Sequence, residues 1–201
     1  MVGNDIVDLD EAGEPSPRFV ARVLAPAERE RALGGGAKAV WRLWAAKEAV
    51  YKALARRDPE LPFAHARFIV DAEAGVVRHG GHTVEVCWQE RGAALTCVTR
   101  GGDVVSAMAA IDDDPGAREL PAAARPSRAA RWLARRLLGE RLGSEPDELE
   151  VVRPSRGRGS RAGAPEVWRR GRRLDGVELS LAHDGAFVAC AALVRPTVRP
   201  W

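Results

Sequence analysis

Cysteine is scarce in this chain of 201 residues, and its three copies, Cys87, Cys97 and Cys190, stand apart in apolar stretches. An odd number with no CxxC spacing argues against a disulfide framework and suits small buried thiols in a reducing compartment. The four histidines share no metal-ligand spacing, and His79-Gly80-Gly81-His82 reads as a turn. No P-loop, GxGxxG fingerprint, GxSxG elbow, HExxH or zinc-finger pattern occurs, which excludes the common signatures of those chemistries. No segment approaches the ~20 apolar residues of a membrane-spanning helix. The opening MVGNDIVDLD places acids where a secretory leader has a basic and then an apolar run. The expectation is a cytoplasmic protein without a membrane partner.

What is present suits a folded chain. Hydrophobic residues make up 46% and charged residues 29%, enough to build a core in one domain or two small fused ones. The formal charge of +3 is too mild to announce a nucleic-acid binder, but it is unevenly placed. Residues 125–173 carry fourteen arginines against six acids, a net +8 that leaves −5 for the remainder. Such a sector is either a solvated face or a surface for an anionic partner.

Along the chain, Val2–Leu9 reads as a short strand with Asp5, Val7 and Leu9 on one face and Asn4, Ile6 and Asp8 on the other. Phe19–Leu24 and Pro26–Leu33 read as helical pieces. Lys38–Arg57 is the clearest helix, rich in Ala, Leu, Lys and Arg and free of Gly and Pro. Ala64–Asp71, Thr83–Gln89, Ala94–Thr99 and Val104–Ile111 follow as strands between glycines. Asp112–Pro126 is a linker and Ser127–Leu142 a second, arginine-rich helix. Leu149–Arg153 is strand-like, and Ser155–Gly163 is a basic glycine-rich loop. Val177–His183 and Ala186–Val194 form a hairpin across Asp184-Gly185.

Two stretches, Ala94–Ile111 and Val177–Val194, align without a gap as strand, glycine turn, strand, and each follows a Trp-bearing helix. The expected fold is therefore α+β: two related α/β halves about a pseudo-twofold, residues 1–115 and 120–201. The halves differ chemically. Setting Trp44 against Trp132 places Glu48 opposite Arg136 and Lys52 opposite Glu140, while His183 falls opposite Arg100. One composite site drawing on both halves follows more readily than two.

Asp5 shares a strand face with apolar residues, and Glu48 lies on a helix beside Trp44. Two carboxylates converging in a cleft repel unless a cation lies between them or one keeps its proton. Mg2+ suits such oxygen ligands and takes phosphate as a further one. Lys52, one turn beyond Glu48, would bring a point charge to the same phosphate. The plainer reading of Glu48 and Lys52 is a surface pair at i, i+4. His183 ends a strand whose odd positions are apolar, so alternation assigns it to the buried side at the rim of the turn. There it is either a ligand-contacting imidazole or a core-edge histidine.

Three segments together carry a resemblance: GNDIVDL (Gly3–Leu9), WAAKEAVYKAL (Trp44–Leu54) and LSLAHDG (Leu179–Gly185). In this order they resemble the 4'-phosphopantetheinyl transferase superfamily, with its GxD strand, W/F-x-x-KEA-x-x-K helix and terminal SxSH hairpin. The motif order is that of the small holo-carrier-synthase type, and the length is that of the pseudo-dimeric type. The resemblance implies transfer of the 4'-phosphopantetheine group from coenzyme A to a serine of an acyl or peptidyl carrier protein, releasing 3',5'-ADP. That chemistry serves fatty acid, polyketide or nonribosomal peptide biosynthesis. By the same resemblance Asp5 and Glu48 are magnesium ligands, with Glu48 also the base or water-positioner. Lys52 meets the coenzyme A phosphates, and His183 contacts the nucleotide from the other half.

The sequence departs from that pattern in places. Val7 occupies the position where larger members often carry a second acid, and Asp8 lies on the opposite strand face. Ala182 replaces the second serine of the hairpin. Gly163-Ala164-Pro165 is the nearest match to a Gly-Lys/Arg-Pro signature, and Arg158 or Arg161 could supply its missing cation. Carrier proteins of this kind are acidic helical bundles, so Arg18 and Arg22 and the basic second helix are docking candidates. The expected molecule is a monomeric pseudo-dimer with no nucleic-acid partner. The alternatives are a catalytically inactive relative that binds coenzyme A or a carrier, and a basic nucleic-acid-binding module.

Overall fold

Every residue of the first strand, β1 (Asn4–Asp8), is buried, so both the Asp5–Val7 face and the Asn4–Ile6–Asp8 face are covered. In this computed structural model, which describes residues 1–154 and 163–195, β1 is covered on both sides. Val7 belongs to the core cluster built on the long helix, whereas Ile6 packs with Ala182 and Ala189 of the last hairpin. A short strand between two layers loses its amphipathic signature because neither face meets water.

Four helices follow: α1 (Leu9–Ala12), α2 (Pro17–Val23), α3 (Pro26–Leu33) and α4 (Gly36–Leu54). Leu9 thus starts a helix rather than ending β1, because the Asp8 side chain accepts a hydrogen bond from the Asp10 N–H and caps it. Ser16 caps α2 through the Phe19 N–H. α4 has the expected composition but begins two residues earlier, and Arg56 and Arg57 lie past its end.

The next strands are β2 (Ile69–Asp71), β3 (Val76–His79), β4 (His82–Arg91) and β5 (Ala94–Thr99). Only the end of Ala64–Asp71 is a strand, since His65–Arg67 forms a single 3-10 turn. β3 was not expected; it pairs with β4 across the Gly80-Gly81 turn. These strands and β1 make an antiparallel sheet in the order β1-β5-β4-β3-β2.

After β6 (Val104–Ala110) come α5 (Arg125–Leu142), β7 (Leu149–Val152), β8 (Glu166–Arg169), β9 (Arg172–Arg173), β10 (Val177–Asp184) and β11 (Phe187–Val194). They form two further sheets, β10-β11-β6 and β7-β8-β9, and α5 shares a core cluster with both. β8 and β9 were not expected.

One correction concerns the repeat. β10 and β11 pair as a hairpin, but β5 and β6 lie in different sheets. β6, which a division at 115 and 120 assigns to the first half, hydrogen-bonds to β11. A strand–glycine–strand pattern is the same whether the glycines reverse the chain within a sheet or pass it to another, so the sequence does not name the partner.

α3 and α4 are joined by a buried ion pair. Lys47 is fully buried and donates to Glu28 at 2.6 Å, to the Phe68 carbonyl at 2.6 Å and to the His65 carbonyl at 3.2 Å. Glu28 in turn accepts from the backbone N–H groups of Ala25 and Val70. Every strong donor and acceptor of the pair is thus engaged, the condition under which such burial is tolerated.

Candidate active site

β1 meets α4 at unusually short range because Gly3 has no side chain. A Cβ there would stand 2.0 Å from the Ala49 carbonyl oxygen and 2.8 Å from the Ala53 nitrogen. This approach lets Lys52 reach back across the strand. Its Nζ donates to Asp5 Oδ1 at 2.7 Å and to the Asn4 carbonyl at 3.1 Å. Burial pushes the Asp5 carboxyl above its ordinary pKa of 3.8, against the lowering by the Lys52 ammonium, and the charge of Asp184 pushes the same way as burial. Glu48 lies one turn before Lys52 on α4 and is half-buried.

The C-terminal part of the chain contributes through β10. His183 is exposed, whereas Leu179 and Leu181 are buried. Alternation assigned it to the buried side; the strand instead runs past the edge of the core before turning. Partial desolvation, the Lys52 ammonium and Arg153 hold its pKa below 6.5, with Asp184 and Asp5 pulling the other way. His183 therefore sits within the electrostatic reach of the Asp5–Lys52 pair, although it comes from the opposite end of the chain.

Between the C-terminal end of α4 and residues of the later part of the chain lies a cleft of about 240 Å³. Tyr51, Lys52 and Arg56 line one side, and Arg153, Pro165 and Ser180 are among the residues lining the other. Desolvation and the neighbouring Arg153 lower the pKa of Arg56, countered by Glu178; desolvation and Arg131 do the same for Arg153. Two partly desolvated guanidinium groups and a lysine around one cleft favour an anion with several charges.

Arg56 and Arg153 were missed in the sequence. Arg56 had a signal, since it extends the line of Trp44, Glu48 and Lys52 by one more turn. Arg153 had none, because its approach to α4 is purely tertiary. Gly163-Ala164-Pro165 does line the cleft. Arg158 and Arg161, with most of the basic loop, lie outside the described residues. Arg18 and Arg22 are exposed on α2, away from the cleft-lining residues. Arg22 stands 6.0 Å from the Phe19 ring, which packs on Trp44.

The departures from the motif now have positions. Val7 is packed in the core on α4. Ala182 faces Ile6 in a small cluster between β1 and the hairpin, so a hydroxyl at that place would enter an apolar contact. Asp8 accepts from the Ala186 N–H at 3.0 Å and is committed to the turn.

Among the described residues no three His, Cys, Asp or Glu side chains gather into a group able to hold a metal. Asp5 and Glu48 offer two carboxylates, and two carboxylates completed by water and phosphate oxygens are a donor set that Mg2+ accepts. The residues fit that ion.

An α+β domain with a carboxylate–lysine pair at the end of a cationic cleft is a setting for transfer of a phosphate-bearing group. Residues 1–99 match the family model of the 4'-phosphopantetheinyl transferase superfamily, and this part of the chain is a domain of that superfamily. The match holds Asp5, Glu48 and Lys52 and ends with β5; Arg153 and His183 lie beyond it. No curated protein matches the chain. Among the described residues no helix is long and apolar enough to cross a membrane.

Proposed function

We propose that the chain transfers 4'-phosphopantetheine from coenzyme A to a serine of an acyl or peptidyl carrier protein in the cytoplasm, as a holo-carrier-protein synthase. The observation that carries this reading is the composite cleft: Lys52, half-buried and paired with the buried Asp5, lines it together with arginines from two separate parts of the chain. Asp5 and Glu48 would hold the magnesium ion, which when bound neutralises diphosphate charge.

Lys52, Arg56 and Arg153 bind the phosphates of coenzyme A, and His183 meets its nucleotide. The serine oxygen attacks the phosphorus that carries the pantetheine arm, and the bond from that phosphorus to the 3',5'-ADP leaving group breaks. Glu48 takes the serine proton directly or through water. Positioning and charge stabilisation account for the acceleration, since no enzyme nucleophile is needed.

The pseudo-twofold belongs to the same proposal. The order β6-β11-β10 with α5 repeats β1-β5-β4 with α4, and the Leu9 N–H to Ala93 carbonyl bond is matched by Ile111 N–H to Ala186 carbonyl. On this reading the chain acts as a monomer and its halves divide before β6. Arg18 and Arg22 dock the acidic carrier.

The test is incubation with coenzyme A, Mg2+ and an apo-carrier protein. The expected result is a mass gain of ~340 Da on the carrier, the size of the transferred arm. A binding-only relative is the second reading, favoured by the core packing of Val7 where a second acid would stand. Calorimetric binding of coenzyme A without any mass gain would establish that one; retention of nucleic acid alone would overturn both.

A further inference from the structure

β1 and β10 are the outer strands of two different sheets, and they face each other without a backbone ladder. An unpaired strand edge leaves N–H groups that need partners. Here two side chains of β10 supply them. Ser180 Oγ accepts from the Asn4 N–H at 3.1 Å, and Asp184 Oδ2 accepts from the Asp8 N–H at 2.9 Å. Both pairs are spaced by four residues in the same direction. Midway, Ala182 packs with Ile6, where a larger side chain would hold the strands apart.

The turn is also tied from the β1 side. Asp8 Oδ2 accepts from the Ala186 N–H at 3.0 Å. Gly185, at a φ of +49°, lies so close that a Cβ would stand 2.3 Å from Asp8 Oδ2. Residues 5 and 183 lie inside the spans bounded by these ties. A slip of two residues between the strands would carry His183 about 6.6 Å along β1, at the usual rise of a strand.

We propose that Ser180 and Asp184 form a register clasp: positioning residues whose side-chain acceptors fix β10 along β1 and so keep His183 near the Asp5–Lys52 pair. A backbone ladder would set register whatever the side chains were. Here these two acceptors set it from the β10 side, with Asp8 holding the turn from β1. The effect on ligand binding rests on the proposed function; the clasp itself does not.

The test has two arms on the full chain. Site-resolved amide exchange reads the clasp directly. The Asp8 amide should exchange about tenfold faster in Asp184→Ala and within about twofold of wild type in Asp184→Asn, which keeps an acceptor. The Asn4 amide should respond in the same way to Ser180→Ala, which also serves if Asp184→Ala does not fold. Unchanged exchange in both alanine variants overturns the clasp.

Calorimetry with coenzyme A reads the link to His183. Asp184→Ala should weaken binding by up to about tenfold in the wild-type background and by less than about twofold when His183 is already alanine. Equal losses in the two backgrounds overturn the positioning role. A wild-type protein that binds no coenzyme A overturns the proposed function, while amide exchange still decides the clasp.

Discussion

Replacing Gly3 by alanine tests whether the meeting of β1 and α4 builds the site. The added Cβ would stand 2.0 Å from the Ala49 carbonyl oxygen, and ordinary contact begins near 3.4 Å, so strand and helix must part by about 1.4 Å. The obstructing atoms are backbone and cannot rotate away, so the cost belongs toward the upper end of the ~1–3 kcal/mol typical of overpacking. The same displacement stretches the 2.7 Å contact between Lys52 and Asp5 beyond a hydrogen bond. A misplacement of about 1 Å in a catalytic group is worth roughly 10²-fold in rate. Urea denaturation and carrier-modification kinetics on Gly3→Ala should therefore show both losses together. Gly34→Ala is the control: nothing lies within 4 Å of its Cβ and its φ is −78°, so stability should be unchanged or rise by ~0.4–1 kcal/mol. A Gly3→Ala protein with wild-type denaturation midpoint and rate would refute the reasoning.

Lys47→Met removes one partner of a buried ion pair and should destabilise by ~3–5 kcal/mol, toward the lower end because Glu28 keeps two backbone donors; an unchanged urea midpoint contradicts this. Asp5→Asn should abolish transfer without loss of stability at pH 7. Burial holds the folded-state pKa of Asp5 above 3.8, so the folded chain binds the extra proton between those values and stability falls as pH rises through that window. Asparagine removes that decline, and denaturation curves below and above the window would expose an error of sign. Glu48→Gln should lower the maximal rate by ~10²–10⁴-fold and coenzyme A affinity by less, as rate and calorimetric measurements on one preparation would show.

Local order was legible wherever the chain signals it locally. α4 follows from its run of good helix formers, the last hairpin from Asp184-Gly185, and the order of the three motifs pointed to Asp5, Glu48, Lys52 and His183. β3, β8 and β9 are short and carry arginines, so they lack the apolar character that marks the equally short β7, and β1 hides its faces because both are covered. The four-residue spacing of Trp44, Glu48 and Lys52 reaches Arg56, whereas no spacing in the sequence reaches Arg153.

By itself, then, the sequence determined the long helices α4 and α5, the longer strands and the last hairpin, and the superfamily match of its first 99 residues. Only the tertiary structure decided that β6 crosses to β11, that Lys47 is sealed against Glu28, and that Arg153 and His183 come to the Lys52 end of α4. The physical reason is that helix and turn preferences act over a few residues. Strand partners, buried pairs and composite clefts are instead set by which distant surfaces exclude water together.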